Sequence, residues 1–190
     1  MGPIGRLYLT TARDGWVAPP HAERRCTLPV VFEEEGTGLT LWIDGDACPR
    51  PVRRIVFRAA ERVQAPAVLV ANSGVSVPRS NWIRTVRVKK GFDVADNHIL
   101  KESSPGDVVV TSDLPLAAEL VARGVHVLSP RGETFTEDNM ADRLATRDLL
   151  QELRDVGAIT GGGPPAFGDA DRNAFANALD RLLGRLRAGP

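Results

Sequence analysis

Short apolar runs with β-strand character alternate with helical patterns from Leu39 onward, and this alternation constrains the fold most. Strands are predicted at residues 39–43, 67–71, 82–88, 107–111 and 125–128, and helices at 49–64, 93–102, 114–123, 136–156 and 171–187. Such an order is typical of βαβ units, in which parallel strands pair and the connecting helices cover the sheet. The sequence therefore predicts an α/β class: a three-layer fold with a mostly parallel central sheet flanked by helices.

Residues 1–38 differ from the rest of the 190-residue chain, because they are rich in glycine and proline and show little periodicity. We interpret them as an N-terminal extension, partly ordered at best, and residues 39–187 as a single α/β domain that includes the C-terminal helices. No apolar run reaches the ~18 residues that a membrane span needs, and no signal-peptide pattern opens the chain. Two cysteines cannot build a disulfide framework. These features predict a cytoplasmic protein without a membrane partner.

The formal net charge is zero, but the charges are unevenly distributed. Residues 47–92 contain ten basic side chains and one acid, Glu61, which leaves a net charge of +9. A basic face of this kind suits an anionic polymer such as RNA. The alternative is a set of ordinary solvated helix faces, and the sequence alone leaves both interpretations open.

Five aspartates are expected at one edge of the sheet. Asp44 and Asp46 follow the first strand, Asp93 and Asp96 begin the helix after the third, and Asp113 follows the fourth. Because the carboxyl ends of parallel strands share one edge, where ligands bind, these residues are predicted to converge. Clustered carboxylates repel one another unless some are protonated or a cation neutralises them. Oxygen ligands without nearby histidine or cysteine favour Mg²⁺ or Mn²⁺.

Each of these acids also has a structural explanation. Asp113 precedes Leu114 and Pro115, where aspartate is a good helix N-cap, and Asp93 is placed to cap its own helix. Asp44 or Asp46 alone is suited to shaping a turn. Convergence of all five at one edge is the feature that favours a functional site.

Asp107 provides a contrast, because it begins the fourth strand instead of following it. At ~3.3 Å per residue, Asp107 and Asp113 are expected about 20 Å apart, at opposite edges of the sheet. Asp107 is therefore excluded from the site. Cys48 is interpreted as a small packing residue, since no histidine is placed beside it to act as a base.

Further side chains are predicted to contact a substrate. Asn72 ends the second strand and Arg131 follows the last predicted strand, both at the favoured edge. The basic segment contributes Arg84, Lys89 and Lys90. The alternative for Arg131 is a turn in which it pairs with an acid.

Several motifs together closely resemble the YaiI/YqxD-type bacterial family, which is regarded as PIN-like. They are Trp42-Ile43-Asp44-Gly45-Asp46-Ala47-Cys48-Pro49, Val70-Ala71-Asn72, Gly91-Phe92-Asp93-Val94-Ala95-Asp96-Asn97, Thr111-Ser112-Asp113-Leu114-Pro115-Leu116-Ala117, Pro130-Arg131-Gly132-Glu133, Thr160-Gly161-Gly162 and Ala174-Phe175-Ala176-Asn177. The match keeps motif order across residues 39–186. Gly45 stands where a small residue such as alanine is expected.

The resemblance implies a PIN/NYN-like nuclease fold with acids around a divalent ion. Asp44 matches the acid after the first strand, and Asp113 the acid after the later strand, with Ser112 as a hydroxyl helper. Asp93 and Asp96 resemble the central helical acids. Fold-level likeness is a weak warrant for a particular activity.

The resulting hypothesis is a Mg²⁺- or Mn²⁺-dependent nuclease that hydrolyses phosphodiesters, in RNA more than in DNA. Asp44, Asp96 and Asp113 would hold the metal, and Asp46 and Asp93 would complete the cluster or orient water. One alternative is a non-catalytic nucleic-acid-binding or interaction module with the same fold. A haloacid-dehalogenase-like phosphatase is the third, because the Asp44-Gly45-Asp46 run resembles that family's nucleophile and acid, although no later lysine or acidic motif follows in the needed order.

Overall fold

The computed structural model describes residues 38–91, 93–159 and 165–188. Within them the elements are β1 (Leu41–Asp44), α1 (Arg50–Val63), β2 (Ala67–Ala71), β3 (Ile83–Arg87), α2 (Val94–Glu102), β4 (Val108–Val110), α3 (Leu114–Ala122), β5 (His126–Leu128), β6 (Thr134–Phe135), α4 (Glu137–Asp155) and α5 (Asp169–Ala188). The predicted extension at 1–38 lies outside the described residues except for Gly38, and so does the glycine motif at 160–162.

The six strands form one sheet in the order β3-β2-β1-β4-β5-β6. Strands β1 to β5 pair in parallel, and β6 alone pairs antiparallel with β5, so the prediction of a mostly parallel α/β sheet is confirmed. The strand order reverses beside β1, because β2 and β3 extend to one side of it and β4 and β5 to the other. Such a switch point opens a crevice between the carboxyl ends of the two strands that flank it, here β1 and β4.

Strand β6 corrects the expectation that residues 125–128 form the last strand. It is two residues long, Thr134–Phe135, and pairs with Val127 and Leu128. A strand of two residues shows no alternation of apolar and polar side chains, so the sequence pattern could not predict it. The turn before β6 brings it against β5.

Helices cover both faces of the sheet, as predicted. Leu41 and Ile43 of β1 pack in a cluster with α1 and α5, whereas Trp42 between them packs in a second cluster with α2, α3 and the start of α4. The strands are buried on both sides, which explains why they read as continuous apolar runs instead of alternating ones.

Helix α1 shows how the sequence positions charge beside the switch point. Its apolar residues Val52, Val56 and Val63 are buried against the sheet, while Arg50 and Arg54 are exposed. A proline in the first turn fits there because the first amide donors of a helix lack partners. No helix in the described residues combines the length and the apolar character that crossing a bilayer demands.

Candidate functional site: an aspartate cleft at the switch point

A cleft of about 440 Å³ opens at the carboxyl ends of β1 and β4. Its lining includes all five predicted acids and two predicted substrate contacts: Asp44, Asp46, Asp93, Asp96, Asp113, Asn72 and Ser112. We call this the aspartate cleft. It lies at the edge where the parallel topology was expected to gather these residues, and it draws them from the β1–α1 connection, the end of β2, the start of α2 and the start of α3.

Asp44, the last residue of β1, is the most buried acid of the cleft, with 4% of its surface exposed. Its Oδ2 accepts a hydrogen bond from Thr111 Oγ1 at 2.9 Å, and its Oδ1 accepts from the amides of Asp46 and Ala47 at 3.2 Å. Burial raises the pKa of Asp44, and the hydrogen bonds from Thr111 and the two amides oppose that rise. The carboxylate is therefore held in one orientation.

Thr111 is a site residue that the sequence analysis missed. It follows β4 directly, is fully buried, and donates to Asp44 while accepting from the Asp113 amide at 3.0 Å. The signal was present in the Thr111-Ser112-Asp113 run, since a hydroxyl at the end of β4 faces the end of the neighbouring strand.

Asp113 combines a structural role with its place in the cleft. Its Oδ1 accepts from the Leu116 amide at 2.8 Å, which caps α3 as the alternative interpretation predicted. Capping uses one carboxylate oxygen, and among the described residues no hydrogen bond engages Oδ2. The same residue can therefore cap the helix and face a ligand.

Asp46 lies on the loop after β1 and connects to the end of β2. Its Oδ2 accepts from the backbone amide of Asn72 at 3.1 Å, so the two connections are tied together at the rim of the cleft. The Asn72 side-chain oxygen Oδ1 is buried and has no hydrogen-bond partner in the part of the chain that the structure describes. A buried amide oxygen without a donor is costly unless something in the cleft binds it.

Asp93 and Asp96 open α2 from the third segment. Asp93 occupies the N-cap position with φ 55°, but its side chain makes no capping hydrogen bond. Helix capping, the structural role suggested by the sequence, therefore does not explain the Asp93 carboxylate. Aspartate is among the few residues that tolerate this left-handed conformation.

Asp96 experiences the negative charge of the other four acids in the cleft. Burial, and next the carboxylates of Asp44 and Asp113, raise the pKa of Asp96 to about 6, with smaller effects from Asp93 and Asp46. All four other acids thus lie near enough to Asp96 to disfavour its ionisation. This mutual repulsion is the electrostatic signature that the sequence analysis expected of a carboxylate cluster.

The donor chemistry of the cleft fits a hard divalent cation. The oxygens that could ligate a cation come from carboxylates and an amide, including the unpartnered Asn72 Oδ1, and the carboxylates repel one another. As the side chains are placed, however, no group of three or more His, Cys, Asp or Glu in the described ranges is close enough to hold an ion. Binding would require the side chains of the cleft to draw together.

The other predicted substrate contacts lie outside this lining. Arg131 Nη1 contacts Asp171 Oδ1 at 2.8 Å, and its guanidinium also donates to the Pro165 carbonyl. These contacts agree with the alternative prediction for Arg131, a turn in which it pairs with an acid. The adjacent Gly132, at φ 87°, packs so closely on α5 that a Cβ would lie 2.6 Å from the Ala174 carbonyl carbon. The Pro130–Glu133 motif thus joins the sheet to α5.

Three predicted substrate contacts from the basic segment are exposed but do not line the cleft. Arg84 is exposed on β3, and Lys89 and Lys90 are exposed in the segment that leads to Gly91, a residue of the cleft lining. Lys89 and Lys90 directly precede that lining residue in the sequence, whereas Arg84 lies earlier, on β3.

Gly45 and Cys48 explain why the loop after β1 is tightly built. A Cβ at Gly45 would lie 2.8 Å from both Ala71 Cβ and the Val70 carbonyl oxygen, so the alanine that the resemblance led us to expect does not fit this backbone. Cys48 is buried, and burial, together with the charge of Asp44, raises the pKa of its thiol to about 12. The thiol stays protonated at neutral pH, consistent with its predicted packing role.

Comparison with known proteins places the chain among close relatives. It is 52% identical over 145 residues to a UPF0178 protein of Alkalilimnicola ehrlichii, which covers 76% of this chain and 97% of the relative. It is also 53% identical over 148 residues to a UPF0178 protein of Myxococcus xanthus, covering 78% and 96%. A UPF0178 protein of Hahella chejuensis is 49% identical over 147 residues, covering 77% and 97%. No solved structure matches the chain significantly.

A family model described as "Uncharacterized BCR, YaiI/YqxD family" matches residues 42–185, a span that runs from β1 into the last turn of α5 and includes every acid of the cleft. The family suggested by the sequence motifs is thus confirmed, and the chain belongs to the YaiI/YqxD family.

Proposed function

We propose that the protein is a Mg²⁺- or Mn²⁺-dependent phosphodiesterase that cleaves nucleic acid, RNA in preference to DNA, in the aspartate cleft. The observation that carries the proposal is the convergence of five aspartates from separate chain segments on one cleft at the switch point. Structural roles account for only part of this set, because the Asp93 carboxylate caps nothing and Asp113 uses one oxygen for its cap.

Asp44, Asp96 and Asp113 are the residues that would hold the cation. When bound, the cation polarises a phosphoryl oxygen and lowers the pKa of a water molecule. Thr111 and two amides orient Asp44 for this role, and the shared hydroxyl links it to Asp113. Asp46 and Asp93, on opposite segments of the cleft, would hold a water molecule by accepting its hydrogen bonds.

The basic segment at residues 47–92 supports nucleic acid as the substrate. The segment carries a net charge of +9, and several of its basic side chains, including Lys89 and Lys90, are exposed. Contacts from such residues to backbone phosphates provide affinity without sequence preference.

A cleavage assay tests the proposal. Purified protein would be incubated with mixed RNA in the presence of Mn²⁺, Mg²⁺ or EDTA, beside an Asp44→Asn/Asp113→Asn variant. An Asp138→Asn/Asp142→Asn variant on α4 is the matched control, because it removes two exposed acids outside the cleft. We expect metal-stimulated cleavage by the wild type and the control only. Equal background cleavage by all three proteins would reject the proposal.

A non-catalytic RNA-binding module is the second candidate. The specific observation that favours it is that no set of acids in the described residues is already spaced for a metal. Salt-dependent RNA binding without metal-stimulated cleavage would support this candidate. A phosphatase that uses Asp44 as a nucleophile is less well supported, because no later lysine or acidic motif follows in the order that such enzymes need.

A further inference from the structure

A second depression, of about 750 Å³, lies on the other side of Asp46 from the aspartate cleft. It is lined on one wall by three arginines of α1 and on the other by the turn after β2, residues 73–76. The arginines are Arg50, Arg53 and Arg54, and we call this depression the arginine groove. None of the three was singled out as a substrate contact from the sequence.

The arginine groove carries a net positive charge. Among the described residues, its lining contains three arginines and one acid, Asp46. Arg50 and Arg54 are exposed and make no hydrogen bond or ion pair with any residue that the structure describes, whereas Arg53 Nε donates to the Cys48 carbonyl at 2.8 Å and is held in the wall.

Several arginines on other faces of the protein instead pair with an acid, as in Arg62–Asp180, Arg131–Asp171 and Arg143–Glu133. A groove whose guanidinium groups lack acidic partners is suited to an anion, and the planar fork of arginine matches two oxygens of a phosphate group.

The groove and the aspartate cleft are adjacent, because they share Asp46 as a lining residue. Asp46 lines both, and its Oδ2 accepts from the amide of Asn72, a cleft residue whose neighbour Ser73 lines the groove. A strand that leaves the cleft over the Asp46–Asn72 link therefore reaches the three arginines of the groove.

We propose that the arginine groove binds backbone phosphates of a nucleic-acid strand adjacent to the phosphodiester held in the aspartate cleft. The inference rests on the proposed function of that cleft and deepens it: the substrate is a strand that extends beyond the cleaved bond, not a mononucleotide. The aromatic residue of the lining, Phe57, is 6% exposed and offers little surface for a base to stack on. Recognition by the groove therefore depends on the backbone and is independent of base identity.

Binding measured without metal tests the groove. Fluorescence anisotropy would follow labelled oligo(U), oligo(A) and oligo(dT) of about 12 nucleotides in EDTA, at salt concentrations from about 50 to 200 mM. The variant is Arg50→Ser/Arg54→Ser. The matched control is Arg181→Ser/Arg185→Ser, which removes the same charge from exposed positions of α5 outside the groove.

We expect the groove variant to bind all three probes about tenfold or more weakly, with a salt slope about 1.4 smaller in magnitude, the value for two lost contacts to a single strand. The control should stay within about twofold of the wild type. Equal affinities for the two variants would overturn the inference, as would a loss confined to one base. Melting temperatures of both variants show that each is folded.

The binding result is independent of turnover, so the two proposals fail separately. Absence of metal-stimulated cleavage by the wild type would reject the proposed function while leaving the measured groove affinity unaffected. If the groove variant cleaved RNA at the wild-type rate and bound it with wild-type affinity, phosphate binding by the groove would be rejected. The proposed activity of the aspartate cleft would be unaffected.

Discussion

Thr111 Oγ1 donates a hydrogen bond of 2.9 Å to Asp44 Oδ2 between the carboxyl ends of the neighbouring strands β4 and β1. The same oxygen accepts from the amide of Asp113 at 3.0 Å. One fully buried hydroxyl thus fixes two acids of the cleft relative to each other, although they are 69 positions apart in the sequence. The orientation of the cleft depends on a residue that carries no charge.

Replacing Thr111 with valine should therefore destabilise the protein and misorient Asp44. Valine keeps the shape but leaves a buried carboxylate oxygen and the Asp113 amide without their partner, which costs about 1–3 kcal/mol. Urea unfolding measures the loss of stability, and the Mn²⁺-dependent cleavage assay measures the loss of orientation. Thr111→Ser keeps the hydroxyl and should restore activity. Unchanged stability and activity in the valine variant would contradict the role assigned to Thr111.

The two roles of Asp113 should separate in two variants. Asp113→Asn keeps an oxygen for the Leu116 amide, and asparagine caps helices about as well as aspartate, so stability should change little. Asp113→Ala removes the cap and should cost about 0.5–2 kcal/mol. Both should lose metal-stimulated cleavage, since both remove the charge. An asparagine variant that cleaves RNA at the wild-type rate would show that Asp113 serves only the helix.

The raised pKa of Asp96 predicts a dependence of stability on pH. The folded protein holds this proton up to about pH 6, whereas the unfolded chain releases it near pH 4, so stability should fall as pH rises through that window. Asp96→Asn cannot ionise. The variant should match the wild type at about pH 4 and melt at a higher temperature than the wild type at about pH 8.

Thermal melts across this range, with Asp142→Asn as an exposed control, test the prediction. Added Mg²⁺ at about pH 8 should raise the melting temperature of the wild type more than that of Asp96→Asn, because it relieves the repulsion that the variant already lacks. A lower melting temperature for Asp96→Asn at high pH would mean that the ionised carboxylate stabilises the fold.

The convergence of the five aspartates on one cleft could be predicted because it depends on the parallel topology of the sheet. Asp44 ends β1 and Asp113 follows the neighbouring strand β4, so both lie at the carboxyl edge. The partners of individual side chains were beyond such reasoning, because they depend on strand order and register. Thr111 faces Asp44 only because β4 pairs with β1, and Arg131 reaches Asp171 only because α5 returns to the sheet.

Gly45 should tolerate no side chain, although it has an ordinary negative φ. A Cβ there would lie 2.8 Å from Ala71 Cβ and from the Val70 carbonyl oxygen, so Gly45→Ala must displace the loop that carries Asp46. We expect a loss of about 1–3 kcal/mol. Gly74→Ala is the control in the turn after β2, since its Cβ would meet nothing within 4 Å. Equal stability of the two variants in chemical unfolding would show that the loop relaxes freely.

Asp107 should stabilise the fold without contributing to the aspartate cleft. It precedes β4 and is 3% exposed; its Oδ1 accepts from the Thr40 amide, and its Oδ2 from Trp42 Nε1 and the Ser104 amide. It thus joins the amino ends of β1 and β4, the edge opposite the site, as its place in the sequence predicted.

Asp107→Asn replaces one accepting oxygen with an NH₂ group, which would face an N–H donor. We expect this to cost about 1–3 kcal/mol of stability. The shift of melting temperature on adding Mg²⁺ should nevertheless equal that of the wild type, because every acid at the carboxyl edge is retained. Loss of that shift in a folded Asp107→Asn protein would place the cation at the wrong end of the sheet and contradict the aspartate cleft as its site.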